Sequence, residues 1–109
     1  MKLKEWPETE RPREKLQQLG AAALSDAELI AILLGSGQKG VDVVSYSRQL
    51  LATFDGVGPL LCAPAEKLLK YHGIGPARVN QLQVVLELSR RYLQWQLKQQ
   101  NQLKPHPPQ

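Results

Sequence analysis

The segment LLKYHGIGPARVNQL, residues 68–82, decides the fold of this chain. Two leucines end an apolar stretch, and the short sequence Gly73-Ile74-Gly75 follows them after three polar or aromatic residues. Pro76 comes next, and proline is favoured in the first turn of a helix because its fixed φ suits that position. Apolar residues then return every three or four positions, which is the spacing of one helix face. The segment therefore predicts two helices joined by a tight hairpin.

The residue types inside the hairpin have physical reasons. Gly73 and Gly75 permit positive φ and a close approach of two backbones, while Ile74 can fill the gap between the two helices. The whole segment resembles the helix-hairpin-helix motif. Val79 departs from that motif, which usually has a small alanine at this position, so we expect a wider helix crossing.

The amide groups at the start of the second helix suggest a function for the hairpin. The free N–H groups within residues 75–78 have no helical partner, and together with the positive end of the helix dipole they suit one phosphate oxygen. Arg78 and Lys70 would add positive charge beside it. The candidate DNA-phosphate-binding residues are thus Gly73, Ile74, Gly75, Ala77, Arg78 and Lys70.

Contacts of this kind touch sugar and phosphate rather than base edges, so they position a protein on DNA without reading its sequence. The pattern favours weak, sequence-non-specific DNA binding. The alternative is that the hairpin is only a tight turn between helices, with glycines that serve packing. The sequence leaves both interpretations open.

An earlier stretch, residues 33–41, repeats the order of helix, Gly-x-Gly turn and helix. Ser36 replaces the apolar plug, and Gly40 adds slack, so we expect this degenerate copy to pack rather than to bind phosphate. Its glycines also fit a dinucleotide-binding fingerprint, but that motif requires a preceding strand. A helix is predicted there instead, which excludes the fingerprint.

The remaining signals predict further helices and no strand. Pro12 and Gly20 bracket a short helix, and Ser25 with Glu28 forms a capping-box pattern that begins a second. Further helices are predicted from Asp42 to about Gly56, from Pro64 and from Pro76, with an apolar connector around residues 60–61. We expect an all-α, compact bundle of about five helices. Residues 1–10 form a flexible arm in this interpretation, residues 11–98 the helical domain with its motif at 64–93, and residues 99–109 a linker or frayed tail.

Composition suits a monomeric domain with a polyanionic partner. The net charge is +4, and residues 64–98 hold six basic and two acidic side chains, so the excess lies around the hairpin. Cys62 is the single cysteine, which fits a reduced, cytoplasmic setting. No apolar run is long enough to span a membrane, and none forms the core of a signal peptide.

Other residue types offer weaker candidates. Trp6 and Trp95 could stack on bases, but neither lies in a basic stripe, so packing is the better interpretation. Arg90 and Arg91 could extend a phosphate track or simply form a solvated face. No serine has the histidine or acidic partners of a nucleophile, and we expect neither catalysis nor a cofactor in this chain.

Three segments carry a family resemblance: RPREKL at 11–16, LSDAELIAILL at 24–34 and GIGPAR at 73–78. Together they resemble the amino-terminal domain of the bacterial RadC family of proposed DNA-repair proteins, over roughly residues 6–93. The resemblance implies a following JAB/MPN-type domain, a zinc-dependent hydrolase fold with paired histidines and an aspartate.

This chain has only His72 and His106, on a hairpin and in a Pro-rich tail, and neither is expected to hold zinc. Any hydrolytic activity would then belong to that other domain, which this chain lacks. A second function follows from the resemblance, in which this chain docks or positions the hydrolase domain.

Overall fold

The computed structural model describes residues 11–37 and 42–103. These residues form six α-helices: α1 Pro12–Leu19, α2 Asp26–Leu34, α3 Val43–Phe54, α4 Val57–Cys62, α5 Ala65–Leu69 and α6 Pro76–Leu103. A 3₁₀ turn at Ala21–Ala23 joins α1 to α2. No strand occurs within these two ranges, and the predicted all-α class is confirmed. The predicted arm at residues 1–10 lies outside the described residues.

Helix α2 begins at the predicted capping box. The Glu28 amide donates to the Ser25 hydroxyl oxygen at 3.1 Å, and the Ser25 amide donates to the Glu28 carboxylate at 2.9 Å. Lys15 on α1 also reaches this carboxylate at 3.1 Å and fixes α1 to α2. Burial raises the pKa of Glu28, but the hydrogen bonds and the Lys15 charge outweigh burial and lower it below 4.5. The carboxylate is therefore ionised at neutral pH.

The core lies where α2 packs on α3 and where α4 and α5 pack on α6. Its largest fully buried side chains come from four helices: Tyr46, Leu50, Leu60, Leu68 and Leu82. Ser47 is also fully buried, and its hydroxyl donates to the Val43 carbonyl at 2.6 Å, which satisfies the polar group. Along α3 the apolar residues Val43, Tyr46, Leu50 and Phe54 are buried, and Leu51 is half-buried.

Two features differ from the sequence-based expectation. The connector predicted around Leu60 is helix α4, whose six residues are too few for helical periodicity to be visible and include Gly58 and Pro59. Helix α6 continues to Leu103, past the end predicted at residue 98, although its apolar pattern fades among the glutamines from Gln94 onward. Glutamine is a good helix former, and no glycine or proline interrupts the helix, so the pattern can fade while the helix continues.

The distal half of α6 leaves the core. Val79 and Leu82 are buried, whereas Leu93, which keeps the same helical register, is 53% exposed. No helix in the described part of the chain has the length and apolar character needed to cross a membrane.

Candidate nucleic-acid interface

The hairpin at residues 73–75 has the predicted plug and one of the two predicted positive φ angles. Gly73 has φ +85°, and Ile74 is only 4% exposed, within the same core cluster as Leu68, Val79 and Leu82. Gly75 does not have a positive φ, which corrects the expectation for that residue. A Cβ atom at Gly75 would meet nothing within 4 Å. The packing of this chain therefore does not require glycine at position 75.

The first turn of α6 presents amide groups with no partner in the described structure. The first backbone amide of this turn to find an acceptor is that of Val79, which donates to the Gly75 carbonyl at 3.1 Å. Among the described residues, no acceptor is found for the amides of Gly75, Ala77 and Arg78. The first turn also contains no acidic residue. These groups form an electropositive helix end suited to an anion.

The Arg78 side chain is held by two hairpins. One guanidinium nitrogen donates to the Gly73 carbonyl at 3.0 Å, and the other donates to the Ser36 carbonyl at 2.6 Å and to the Ser36 hydroxyl at 3.2 Å. The guanidinium carbon also lies 5.6 Å from the centre of the Tyr46 ring. Arg78 therefore places its guanidinium beside the candidate site and connects residues 36 and 73.

The described part of the degenerate hairpin ends α2. Gly35 has φ +81°, and its amide donates to the Ala31 carbonyl at 2.9 Å. Gln81 on α6 donates to the Leu33 carbonyl at 3.1 Å. With Arg78, two side chains of α6 therefore donate to carbonyls at the end of α2. Residues 38–41 of this copy lie outside the described residues. What is described fits the predicted packing role.

Tyr46 on α3 contacts the hairpin, and no role at this site was predicted for it from the sequence. Its side chain is fully buried, and its hydroxyl donates to the His72 carbonyl at 2.6 Å. Its ring meets those of Tyr71 and His72 edge-on at 5.8 and 5.6 Å. Burial raises the pKa of Tyr46, although the nearby Arg78 charge opposes this. The hydroxyl is therefore protonated, and able to donate, at neutral pH.

We expect Tyr46→Phe to lower the free energy of unfolding by about 1 kcal/mol, because the substitution removes the hydroxyl and leaves the His72 carbonyl without its donor. Urea denaturation followed by circular dichroism measures this change. Tyr92→Phe is the matched control, since Tyr92 is 56% exposed, and we expect a change within about 0.5 kcal/mol. Equal effects of the two substitutions would contradict the role given to Tyr46.

The other sequence-predicted residues lie around or away from the hairpin. Lys70 is exposed at the end of α5, three residues before Gly73. Arg90 and Arg91 pair with Glu87 at 3.7 and 3.1 Å on the exposed side of α6, an arrangement typical of a solvated face. Within residues 11–37 and 42–103, no three histidine, cysteine or acidic side chains come together as metal ligands. His106 lies outside the described residues.

Comparisons with known proteins agree on one kind of relative. A family model described as UPF0758 N-terminal matches residues 3–80. A UPF0758 protein of Idiomarina loihiensis is 71% identical over 97 residues, which is 89% of this chain and 43% of that protein. A UPF0758 protein of Psychromonas ingrahamii is 54% identical over 102 residues, or 94% of this chain and 45% of the relative. The chain thus spans less than half the length of these relatives. No solved structure matches it.

Proposed function

Because the chain belongs to the UPF0758 family through its amino-terminal domain, we propose that this domain is a weak, sequence-non-specific DNA-binding module. Family membership agrees with the RadC resemblance of the sequence. One observation carries the proposal: the amides of Gly75, Ala77 and Arg78 open a 28-residue helix, have no acceptor in the described structure, and have no acidic residue beside them. A backbone phosphate supplies the acceptor that these groups lack.

In this proposal a phosphate oxygen accepts hydrogen bonds from the amides at the start of α6. Ile74 fixes the hairpin to the core, and Arg78 and Lys70 contribute positive charge at its edge. None of these groups reads a base edge, so affinity is similar for all sequences. The dissociation constant falls in the range typical of non-specific contacts, about 10⁻⁴ to 10⁻⁶ M.

An NMR titration of the ¹⁵N-labelled domain at low salt tests the proposal. Duplex, single-stranded and branched DNA are compared, because contacts to sugar and phosphate do not predict which of these forms binds best. We expect amide shifts confined to residues 70–80. The absence of shifts with every DNA, or a strong preference for one duplex sequence, would contradict the proposal.

Gly75→Ala tests DNA binding separately from folding, because a methyl group at this position contacts nothing in the protein and Gly75 has no positive φ. We expect nearly unchanged stability and an affinity for DNA that falls at least about tenfold, or 1.4 kcal/mol, because the methyl group obstructs a phosphate close to the backbone. Fluorescence anisotropy with labelled duplex DNA measures the affinity.

Gly58→Ala in α4 is the matched control for this prediction, since its Cβ also meets nothing within 4 Å and its φ is not positive. We expect it to bind DNA as the unaltered chain does. If Gly75→Ala binds equally well, no ligand approaches the hairpin backbone closely.

A second function is supported by a different observation. Several large apolar side chains on the distal half of α6 are more than half exposed. They suit a module that positions the rest of a longer polypeptide, in which the RadC resemblance implies a zinc-dependent JAB/MPN hydrolase domain. Any catalysis would then belong to that other part, and this domain would supply placement.

A further inference from the structure

Apolar side chains line one side of the distal half of α6, and charged side chains line another. Its apolar side, called the distal α6 face here, consists of Val84, Val85, Leu88, Tyr92 and Trp95. These positions fall within an arc of about 100° on the helix. Glu87, Arg90, Arg91 and Gln94 project from the other side, where Glu87 forms its two ion pairs. Leu93 and Leu97 are also exposed and lie outside this arc, so apolar side chains cover more of the distal helix than this face alone. A broad apolar surface beside a charged strip is typical of a helix that packs against a partner.

The distal α6 face is nevertheless exposed in this chain. Val84, Tyr92 and Trp95 are each 56% exposed, and Leu88 is 61% exposed. The rings of Tyr92 and Trp95 lie 5.9 Å apart, so they form a continuous surface. Beside them runs an open groove of about 440 Å³ lined by Val85, Leu88, Ser89, Tyr92 and Leu93. Scattered exposed apolar residues are ordinary, but a contiguous patch with a groove marks an interaction site.

The relatives indicate what covers this face. They extend for more than half of their length beyond the part that this chain matches, and the family model describes the amino-terminal region. A match over 97 of 109 residues includes at least residues 13–97, and therefore the whole distal α6 face. The polypeptide that follows this region in the relatives is covalently joined close to the face. Such a partner has a high effective concentration, so a modest apolar surface suffices.

We propose that the distal α6 face docks an apolar surface of the polypeptide that follows this domain in the longer family members. This inference rests on the positioning function given above as the second candidate, and it assigns that function a surface. Tyr92 and Trp95 provide the broad contact, and Leu88 lies at its centre. The first turn of α6 stays free, so docking and the contact with DNA do not compete.

The test uses a chimera in which this chain replaces the matched region of the Idiomarina loihiensis relative. Amide hydrogen exchange of residues 84–97 is compared between the chimera and this chain alone. We expect exchange at least tenfold slower in the chimera. Leu88→Glu should abolish the difference, whereas Gln94→Glu, which places the same charge on the polar side of α6, should preserve it. Circular dichroism verifies that both variants stay folded.

Equal exchange in the chimera and in this chain would overturn the proposal. The proposal would also be overturned if residues 84–97 were already protected in this chain alone, with protection that grows with protein concentration and dimers in sedimentation. A second copy of the chain would then cover the face. Titration of the same chimeras with DNA separates the two functions. If Gly75→Ala removes DNA binding while residues 84–97 stay protected, the result agrees with both the DNA-binding and the docking proposal. If the same variant also removes the protection, docking is not independent of the DNA site, which would contradict the proposal.

Discussion

Ile74→Ala is expected to lower the free energy of unfolding by about 2–5 kcal/mol, the range for removing a large aliphatic side chain from a core. Ile74 is 4% exposed and lies in the same core cluster as Leu68 and Leu82. The hairpin on either side of it cannot collapse easily into the cavity, because Gly73 and the Arg78 contacts fix its backbone. Urea denaturation monitored by circular dichroism measures the loss.

Leu88→Ala is the control for this substitution, since it also shortens an aliphatic side chain but at a position that is 61% exposed. We expect its effect on stability to stay within about 0.5 kcal/mol. A loss below about 1 kcal/mol for Ile74→Ala would mean that the hairpin is only loosely attached to the core.

Arg78→Ala is expected to have two effects. It removes the three hydrogen bonds to Gly73 and Ser36, which should lower the free energy of unfolding by about 1–3 kcal/mol, a range that allows for their partial exposure. If Arg78 also neutralises one phosphate, the slope of log affinity against log salt for duplex DNA should fall by about 0.9. Denaturation and anisotropy at several salt concentrations measure the two effects separately.

Arg78→Lys separates charge from geometry, because lysine keeps the charge but lacks the planar fork that reaches two carbonyls. We expect the salt slope to be retained, while the free energy of unfolding falls nearly as much as in Arg78→Ala. An Arg78→Ala protein with unchanged affinity and unchanged slope would remove Arg78 from the DNA contact. With Gly75→Ala also neutral, positioning would be the better account of the domain.

The features predicted correctly from sequence are those encoded within a few neighbouring residues. The capping box needs only Ser25 and Glu28, and the hairpin needs only residues 73–76, because each pattern closes its own hydrogen bonds or packs its own plug. The helices with clear periodicity, such as α3, followed for the same reason. Helix α4 was predicted as an apolar connector, because six residues are too few for their spacing to distinguish a helix from a connector.

The features that sequence could not predict depend on distant partners. Arg78 reaches Ser36 across 42 positions, and Tyr46 reaches His72 across 26. Nothing in the local pattern at residue 78 distinguishes a side chain turned toward a carbonyl from one turned toward solvent. The backbone of Gly75 posed a related difficulty, because its place in the motif suggested a positive φ that the hairpin requires only at Gly73.

Helix α6 is a single uninterrupted helix, so the distance and the rotation between its first turn and its distal face are fixed. No glycine or proline interrupts residues 77–103, so the helix has no evident hinge. Ala77 and Tyr92 are fifteen residues apart, which corresponds to about 22 Å along the axis. A body docked on the distal face would keep a fixed distance and a fixed heading relative to a phosphate at the first turn. One residue inserted between the two sites would swing that body by about 100° around the axis, whereas seven would restore its heading and move it about 10 Å farther away.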